Sequence, residues 1–423
     1  MRSFLVGFSF ICLGAVAVAQ EQPFAGQTIT VLMEGHPSSD AVQRMIPTFT
    51  EATGITVNAE IIPYNDLTAR ALLEFSTGSG RYDIVMDDWV HGVGYASAGY
   101  IAPVDGLAEQ LPTYYDAADF VPKYLTTLRY EDQQFGVPVY GESTFLMYRQ
   151  DLFDEYGLDV PTTFEELEVA ARTVYEATNG DVAGITLRGE QGIQNVYVWA
   201  AFLWGFGGQW LDGDASAVGS AEAVAALDFY ARILREYGPT GVANFGWQEN
   251  RLLFQQGGAA MTIDATVNGA FNEDPNESSI VGQVGYAPVP MSATDPRGGS
   301  SSLAVHGFYL AENSDSPEAA WLFMTWATNA AQQTQSLTTD PHSGVTSLAA
   351  MESDAFLERY GSFREAMLEA IDRGNPQYLP NIPQANEIIN NTGVAISQVL
   401  AGSLDAQTAL SAANDENNDA LGQ

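Results

Sequence analysis

Apolar positions in this chain fall into two alternating kinds of run. The continuous apolar stretch Ile29 to Met33 suits a strand covered on both faces, and Ile55 to Ile62 and Tyr82 to Met86 read as the second and third strands. Between them the pattern turns helical. Ser39 or Asp40 is placed to cap a helix that reaches Thr53 and stops at Gly54, and Asp66 to Ser76 reads as a second helix. This β-α-β-α-β order predicts a parallel sheet with right-handed crossovers. Such sheets bind ligands outside the carboxyl ends of their strands. Here those ends carry His36-Pro37-Ser38 and Asp87-Asp88-Trp89.

The pattern changes at Gln134 to Tyr140, a short β-type run that holds Pro138. Proline cannot donate to a central ladder, so this is an edge strand or a crossing. Gly141-Glu142-Ser143 breaks the run, Thr144 to Tyr148 resumes it, and a helix follows from Gln150. We read the stretch as the first crossing between two lobes, with Glu142 facing the gap. Beyond it, Thr163 with Glu166 fits a capping box for a helix to about Ala177. Gly184 to Arg188 reads as a short strand, and Asn195 to Phe206, Ala221 to Tyr237 and Asn250 to Gln256 as helices. Ala259 to Ile263 is a buried strand that delivers Asp264. A second crossing is expected at Gly285 to Pro290. The Gly- and Ser-rich loop Arg297 to Ser302, a strand over Leu303 to Leu310 and a helix from Pro317 to Ala331 follow. A third crossing is expected near Pro341 to Val345, and the remainder is helical.

Charge narrows the possible partners. The 423 residues carry 53 acidic and 16 basic side chains, a formal charge of −37, and Lys123 is the one lysine. Such a surface repels nucleic acid and anionic membranes, and screening by salt makes its self-repulsion tolerable. At the N-terminus, Arg2, an apolar core from Phe4 to Val18 and the small-residue motif Ala17-Val18-Ala19 read as a secretory signal over residues 1–19. The single cysteine, Cys12, lies inside it, so the mature product is expected to be a soluble, cysteine-free monomer without a membrane anchor.

The stretches FGVPVYGESTFLMYRQDLF, GLDVPTTFEEL, LLFQQGGAAMTIDATV, VGYAPVPM and PEAAWLFMTWAT occur in the order found in family 1 extracellular solute-binding proteins of ABC transporters. The resemblance covers nearly the whole mature chain. Gly141-Glu142-Ser143, Leu187-Arg188-Gly189, Gly205-Phe206-Gly207 with Trp210, Gln248-Glu249-Asn250 and Asp264-Ala265-Thr266 look most like the sorbitol- and mannitol-type polyol binders. Those binders carry a tryptophan-rich strand where this chain has Leu303-Ala304-Val305-His306-Gly307-Phe308, so the resemblance names a ligand class rather than a ligand. It implies an α/β, two-lobe periplasmic binding protein fold of type II-like form, with a ligand cleft between lobes joined by crossing segments. Residues 20–138 with 290–341 would form lobe 1, and 139–289 with 342–423 lobe 2. It also implies a polyol or small sugar as ligand, the permease subunits of an ABC transporter as partner, and the periplasm as location.

An uncharged polyol offers hydroxyls and apolar C–H faces. Carboxylates accept from hydroxyls, arginine donates in a planar fork, and aromatic rings cover the carbon chain. On that chemistry the candidate contacts are Glu142, Arg188, Asp264 and Asn250, the tryptophans Trp89, Trp247 and Trp210, and the histidines His36 and His306. No catalytic residue, metal set or cofactor is expected, because no His/Cys/Asp group has metal-ligand spacing and no glycine loop fits phosphate. Two alternatives stay open: a secreted carbohydrate-active hydrolase, and a binder of a cation such as a polyamine.

Overall fold

The computed structural model describes residues 22–292, 301–340 and 342–423. The expected secretory signal over residues 1–19, part of the loop Arg297 to Ser302, and Pro341 lie outside the described residues. Eight strands build two main sheets: β1 (Thr28–Glu34), β2 (Thr56–Ile62), β3 (Ile84–Asp88), β4 (Gly136–Glu142), β5 (Thr144–Arg149), β6 (Met261–Ala265), β7 (Val284–Ala287) and β8 (Ala304–Leu310).

The first sheet has the order β2-β1-β3-β8-β4. Its β1 pairs in parallel with β2 and β3, as the alternating pattern predicts. Returning from the far end of the chain, β8 runs antiparallel to β3 and β4. Pro138 sits in β4 at the sheet edge, where a missing donor costs nothing. The second sheet has the order β6-β5-β7, with β5 antiparallel to both neighbours. Helices Ile193–Gly205, Ala221–Tyr237, Ala385–Leu400 and Ala406–Leu421 lie against one another beside it. The molecule is thus two α/β lobes with a cleft between them.

The chain passes between the sheets three times, each time later than the Pro and Gly breaks suggest. The first passage is Ser143 alone, between β4 and β5. The second follows Ser292, because β7 pairs with β5 and Met291 still bridges Thr163. It returns beside the first: Ser143 Oγ donates to Ser302 O at 2.6 Å, and Ser302 N to Thr144 Oγ1 at 2.9 Å. The third lies beyond Ser347. Gly141 N donates to Gly344 O, and Thr346 Oγ1 to Pro138 O, so this segment runs along β4. The helix Asp354–Arg373 then lies on β5 and β7. Backbone pairing, which local composition does not encode, sets these divisions in place of 138/139, 289/290 and 341/342.

Two local expectations are corrected. The helix Pro37–Thr53 is capped by His36, whose Nδ1 accepts from Ser38 N, and not by Ser39 or Asp40. Trp89 and Trp247, which the sequence reading leaves outside its helices, open the helices Trp89–Ser97 and Trp247–Gln255.

Candidate functional site

A cavity of about 520 Å³ lies between the lobes. Strand polarity explains what lines the first lobe's side. The carboxyl ends of β1, β2 and β3 deliver Glu34, Ile62 and Asp88, and the helix starts that follow add His36, Tyr64 and Trp89. Neighbouring β8 runs the other way and brings its start, Ala304 with His306, to the same edge, while β4 runs with β1–β3 and brings its carboxyl end, Tyr140 with Glu142. His306 stands opposite Asp88 on one side and Tyr140 on the other.

His306 is a buried cation held between two carboxylates. Its Nε2 lies 3.0 Å from Asp88 Oδ1 and its Nδ1 3.2 Å from Glu34 Oε2. Burial disfavours the charge, but Asp88 and Glu34 outweigh it and hold the imidazole pKa well above its ordinary value. Burial likewise acts to raise Asp88, yet the His306 charge and the Tyr64 hydroxyl, which donates to Asp88 Oδ2, keep it below the usual range. His36 is the opposite case. Burial, with His342, His306 and Arg251 nearby, pushes it well below its ordinary value, so it is neutral. Because Nδ1 accepts from Ser38 N, the ring proton sits on Nε2, which has no hydrogen-bond partner among the described residues.

Glu142 closes this wall toward the second lobe. Its Oε2 accepts from Tyr140 and its Oε1 from Tyr197, both at 2.9 Å. Burial pushes its pKa up to about 7 against the pull of His306, Arg188 and the two hydroxyls. On the second lobe Arg188 stands over the Tyr197 ring at 4.9 Å. Its Nε and Nη2 donate to Asp264 and its Nη1 to Gln194 Oε1 at 3.2 Å. Trp247 is fixed by Nε1 donating to Asn268 Oδ1 at 2.7 Å and reaches across to His36, ring centroids 5.6 Å apart. Donors, acceptors and aromatic faces therefore converge from both lobes on one enclosed space, an arrangement suited to a small hydroxylated molecule.

Residues 35–334 match the family described as bacterial extracellular solute-binding protein. The chain belongs to that family. A mannitol-binding protein of Pseudomonas aeruginosa is 28% identical over 425 residues, covering 95% of this chain and 95% of the relative. Two solved structures of ABC transporter solute-binding proteins superpose closely. The one from Agrobacterium radiobacter, in complex with ribitol, has a TM-score of 0.87 at 27% identity, covering 94% of this chain and 99% of that one. The one from Agrobacterium vitis, with bound D-mannitol, has a TM-score of 0.83 at 27% identity, covering 92% and 97%. No helix among the described residues is long and apolar enough to cross a membrane.

In this solute-binding protein six of the nine expected contacts line the cavity: Glu142, Arg188, Trp89, Trp247, His36 and His306. Asp264 and Asn250 do not. Asp264 is fully buried behind Arg188, and Asn250 holds it through Nδ2 at 2.7 Å while accepting from Thr186 Oγ1. Trp210 is core, its Nε1 donating to Tyr378 O and its ring set edge-on to Trp199. Further lining residues were not among the expected contacts, among them Glu34, Tyr64, Asp88, Tyr140, Gln194 and Tyr197. Some left a signal. Tyr140 is two residues before Glu142, so it shares a strand face, and Gln194 with Tyr197 share a helix face. Asp87, Asp88 and His91 come within 4.8 Å of one another, but Asp87 already accepts from His91, Tyr95 and Asp88 N. They form a hydrogen-bond network that supports β3.

Proposed function

We propose that this chain is the substrate-binding protein of an ABC importer. In this reading it captures an open-chain polyol between its lobes and delivers it unchanged to a membrane permease. One observation carries the reading: the cavity wall sets paired donors and acceptors (His306 with Glu34, Arg188, Glu142 with its tyrosines) beside the aromatic faces of Trp89, Trp247 and Tyr140. Vicinal hydroxyls need both partner types, and the carbon chain needs the aromatic faces. The mannitol-binding relative and the ribitol- and mannitol-bound structures support the same ligand class. The export segment agrees with a periplasmic monomer that begins at Gln20.

The cavity carboxylates Glu34, Asp88, Glu142, Glu190 and Glu249 favour a second reading, a cationic ligand such as a polyamine. The cations His306 and Arg188 in the same wall weigh against it. A hydrolase is weaker still. It needs one carboxyl to give a proton and another to attack or to activate water. Both oxygens of Glu142 are engaged by tyrosines, and those of Asp88 by His306 and Tyr64.

Thermal-shift screening of the purified protein against ribitol, D-mannitol, monosaccharides and spermidine tests the choice. Ligand at about 100 times its Kd adds about 2.7 kcal/mol of apparent stability. A rise in melting temperature with a polyol, followed by recovery of that polyol unchanged, is expected. A rise with spermidine alone would replace the polyol by a cation.

A further inference from the structure

We propose that Arg251, which lies outside the cavity lining, is the positioning residue that holds the Trp247 indole against the carbon chain of the ligand. This deepens the polyol reading above and rests on it. Arg251 stands four residues after Trp247 on the helix Trp247–Gln255, so the two share a helix face. Its guanidinium carbon lies 5.1 Å from the Trp247 ring centroid and 4.0 Å from that of Phe271, both within cation–π reach. Trp247 lines the cavity and Arg251 does not.

Two other contacts fix the indole only in part. Trp247 Nε1 donates to Asn268 Oδ1 at 2.7 Å, a single bond about which the ring can still tilt. Phe271 meets it edge-on, with centroids 5.7 Å apart and planes at 72°. The planar guanidinium packs on both rings at once, and Nη1 anchors it by donating to Glu277 Oε2 at 3.1 Å. The Arg251 side chain is only 12% exposed, and its Nε finds no hydrogen-bond partner among the described residues. Water therefore screens the charge little, and the ring faces carry much of its stabilisation.

The seat of the indole matters because it is an aromatic face that the second lobe brings to the cleft. There it meets His36 of the first lobe, ring centroids 5.6 Å apart. A carbon chain gains from such a face only at van der Waals contact, and a gap of about 0.5–1 Å forfeits about a quarter to a half of the attraction. A tilt of the ring opens such a gap along the chain. Arg251 thus sets the affinity for a neutral ligand without touching it. Lysine would do this less well, because its ammonium is a compact, strongly hydrated point charge that cannot lie flat on two rings and reach Glu277 as well.

Calorimetric titration over a double-mutant cycle decides the proposal. Ribitol and D-mannitol are titrated on the unaltered protein. Whichever binds is carried through Arg251→Met, Arg251→Lys, Trp247→Ala and the two double variants. Arg251→Met, which keeps an apolar stem and no charge, should lose about 10- to 30-fold in affinity, and Arg251→Lys should recover part of it. In the Trp247→Ala background the same Met substitution should cost less than about 2-fold, because the residue it acts through is gone. Native affinity in Arg251→Met overturns the proposal. So does a penalty of equal size in both backgrounds, which would mark a role in the fold alone. Should Arg251→Met not fold, the cycle on Arg251→Lys decides in the same way, with a loss of about 3- to 10-fold expected. A protein that takes a monosaccharide and no polyol overturns the polyol reading, while the same cycle on that sugar decides the role of Arg251. A protein that takes no hydroxylated ligand overturns both.

Discussion

Arg188 reaches the cavity with its guanidinium already committed to Asp264 and Gln194. From sequence, Asp264 reads as a ligand contact whose loss weakens binding and spares the fold. The geometry reverses that expectation, because removing Asp264 strands a buried cation. Asp264→Ala should lower unliganded stability by about 3–5 kcal/mol, measured by urea unfolding. Glu142 gives a pH signature. Its ordinary pKa is 4.5, and burial lifts it to about 7 in the folded chain. Between those values the native state holds a proton that the unfolded chain has released. Stability that is fully present below about 4.5 is therefore lost as pH rises to 7, on the order of 2–4 kcal/mol. The melting temperature should fall from pH 5 to pH 8, and Glu142→Gln, which mimics the protonated form, should flatten that fall. Equal slopes for the two proteins would exclude Glu142 as the source. At this scale the sequence was informative where chemistry is rare and blind where it is common. Arg188 and His306 stand out in a chain with so few basic groups, whereas Tyr140 and Tyr197 look like two aromatics among many.

The elements were legible wherever the pattern is local. β1 and the helix after it follow from an apolar run and Gly54, and the capping box of Thr163 with Glu166 is present with both of its hydrogen bonds. The third crossing was not, because the segment after Pro341 is defined by pairing with a strand some 200 residues earlier (the Thr346 to Pro138 bond spans 208). That pairing depends on Gly344, where a Cβ would lie 2.2 Å from the Tyr140 ring. Tyr140 in turn touches His36 and His306, with centroids 4.4 and 5.0 Å away, and bonds Glu142. Gly344→Ala should thus act on both stability and binding, costing about 1–3 kcal/mol by overpacking and lowering polyol affinity as Tyr140 shifts. Gly361 is the matched control. It is exposed within the helix Asp354–Arg373, and nothing lies within 4 Å of its added Cβ. Gly361→Ala should stabilise by about 0.5–1 kcal/mol and leave binding unchanged. Denaturant melts and titrations on the two variants separate the effects, and a Gly344→Ala protein with native affinity would show that the crossing does not position Tyr140.

At the scale of the whole molecule the cleft is closed: Trp247 of one lobe meets His36 of the other, and the helix Trp89–Ser97 meets Ala385–Leu400. The Ser143 and Ser302 passages lie side by side, a geometry suited to a hinge. Adding ligand should therefore reduce the radius of gyration in solution scattering, and identical profiles with and without saturating polyol would argue against hinge closure. The formal charge of −37 acts on the same equilibrium from outside. Repulsion among surface carboxylates opposes the compact state. The screening length drops from about 10 Å at 0.1 M salt to about 3 Å at 1 M, so added NaCl should raise the unliganded melting temperature. The ligand's own charge then decides how binding responds. A neutral polyol gains nothing from the acidic surface, so its affinity should stay within about twofold between 0.05 and 0.5 M NaCl. A polyamine is drawn by that field and loses its attraction as salt screens it, so its affinity should fall many-fold over the same range. Titration of the bound ligand at the two salt concentrations separates these behaviours, and a steep fall would identify the cargo as a cation.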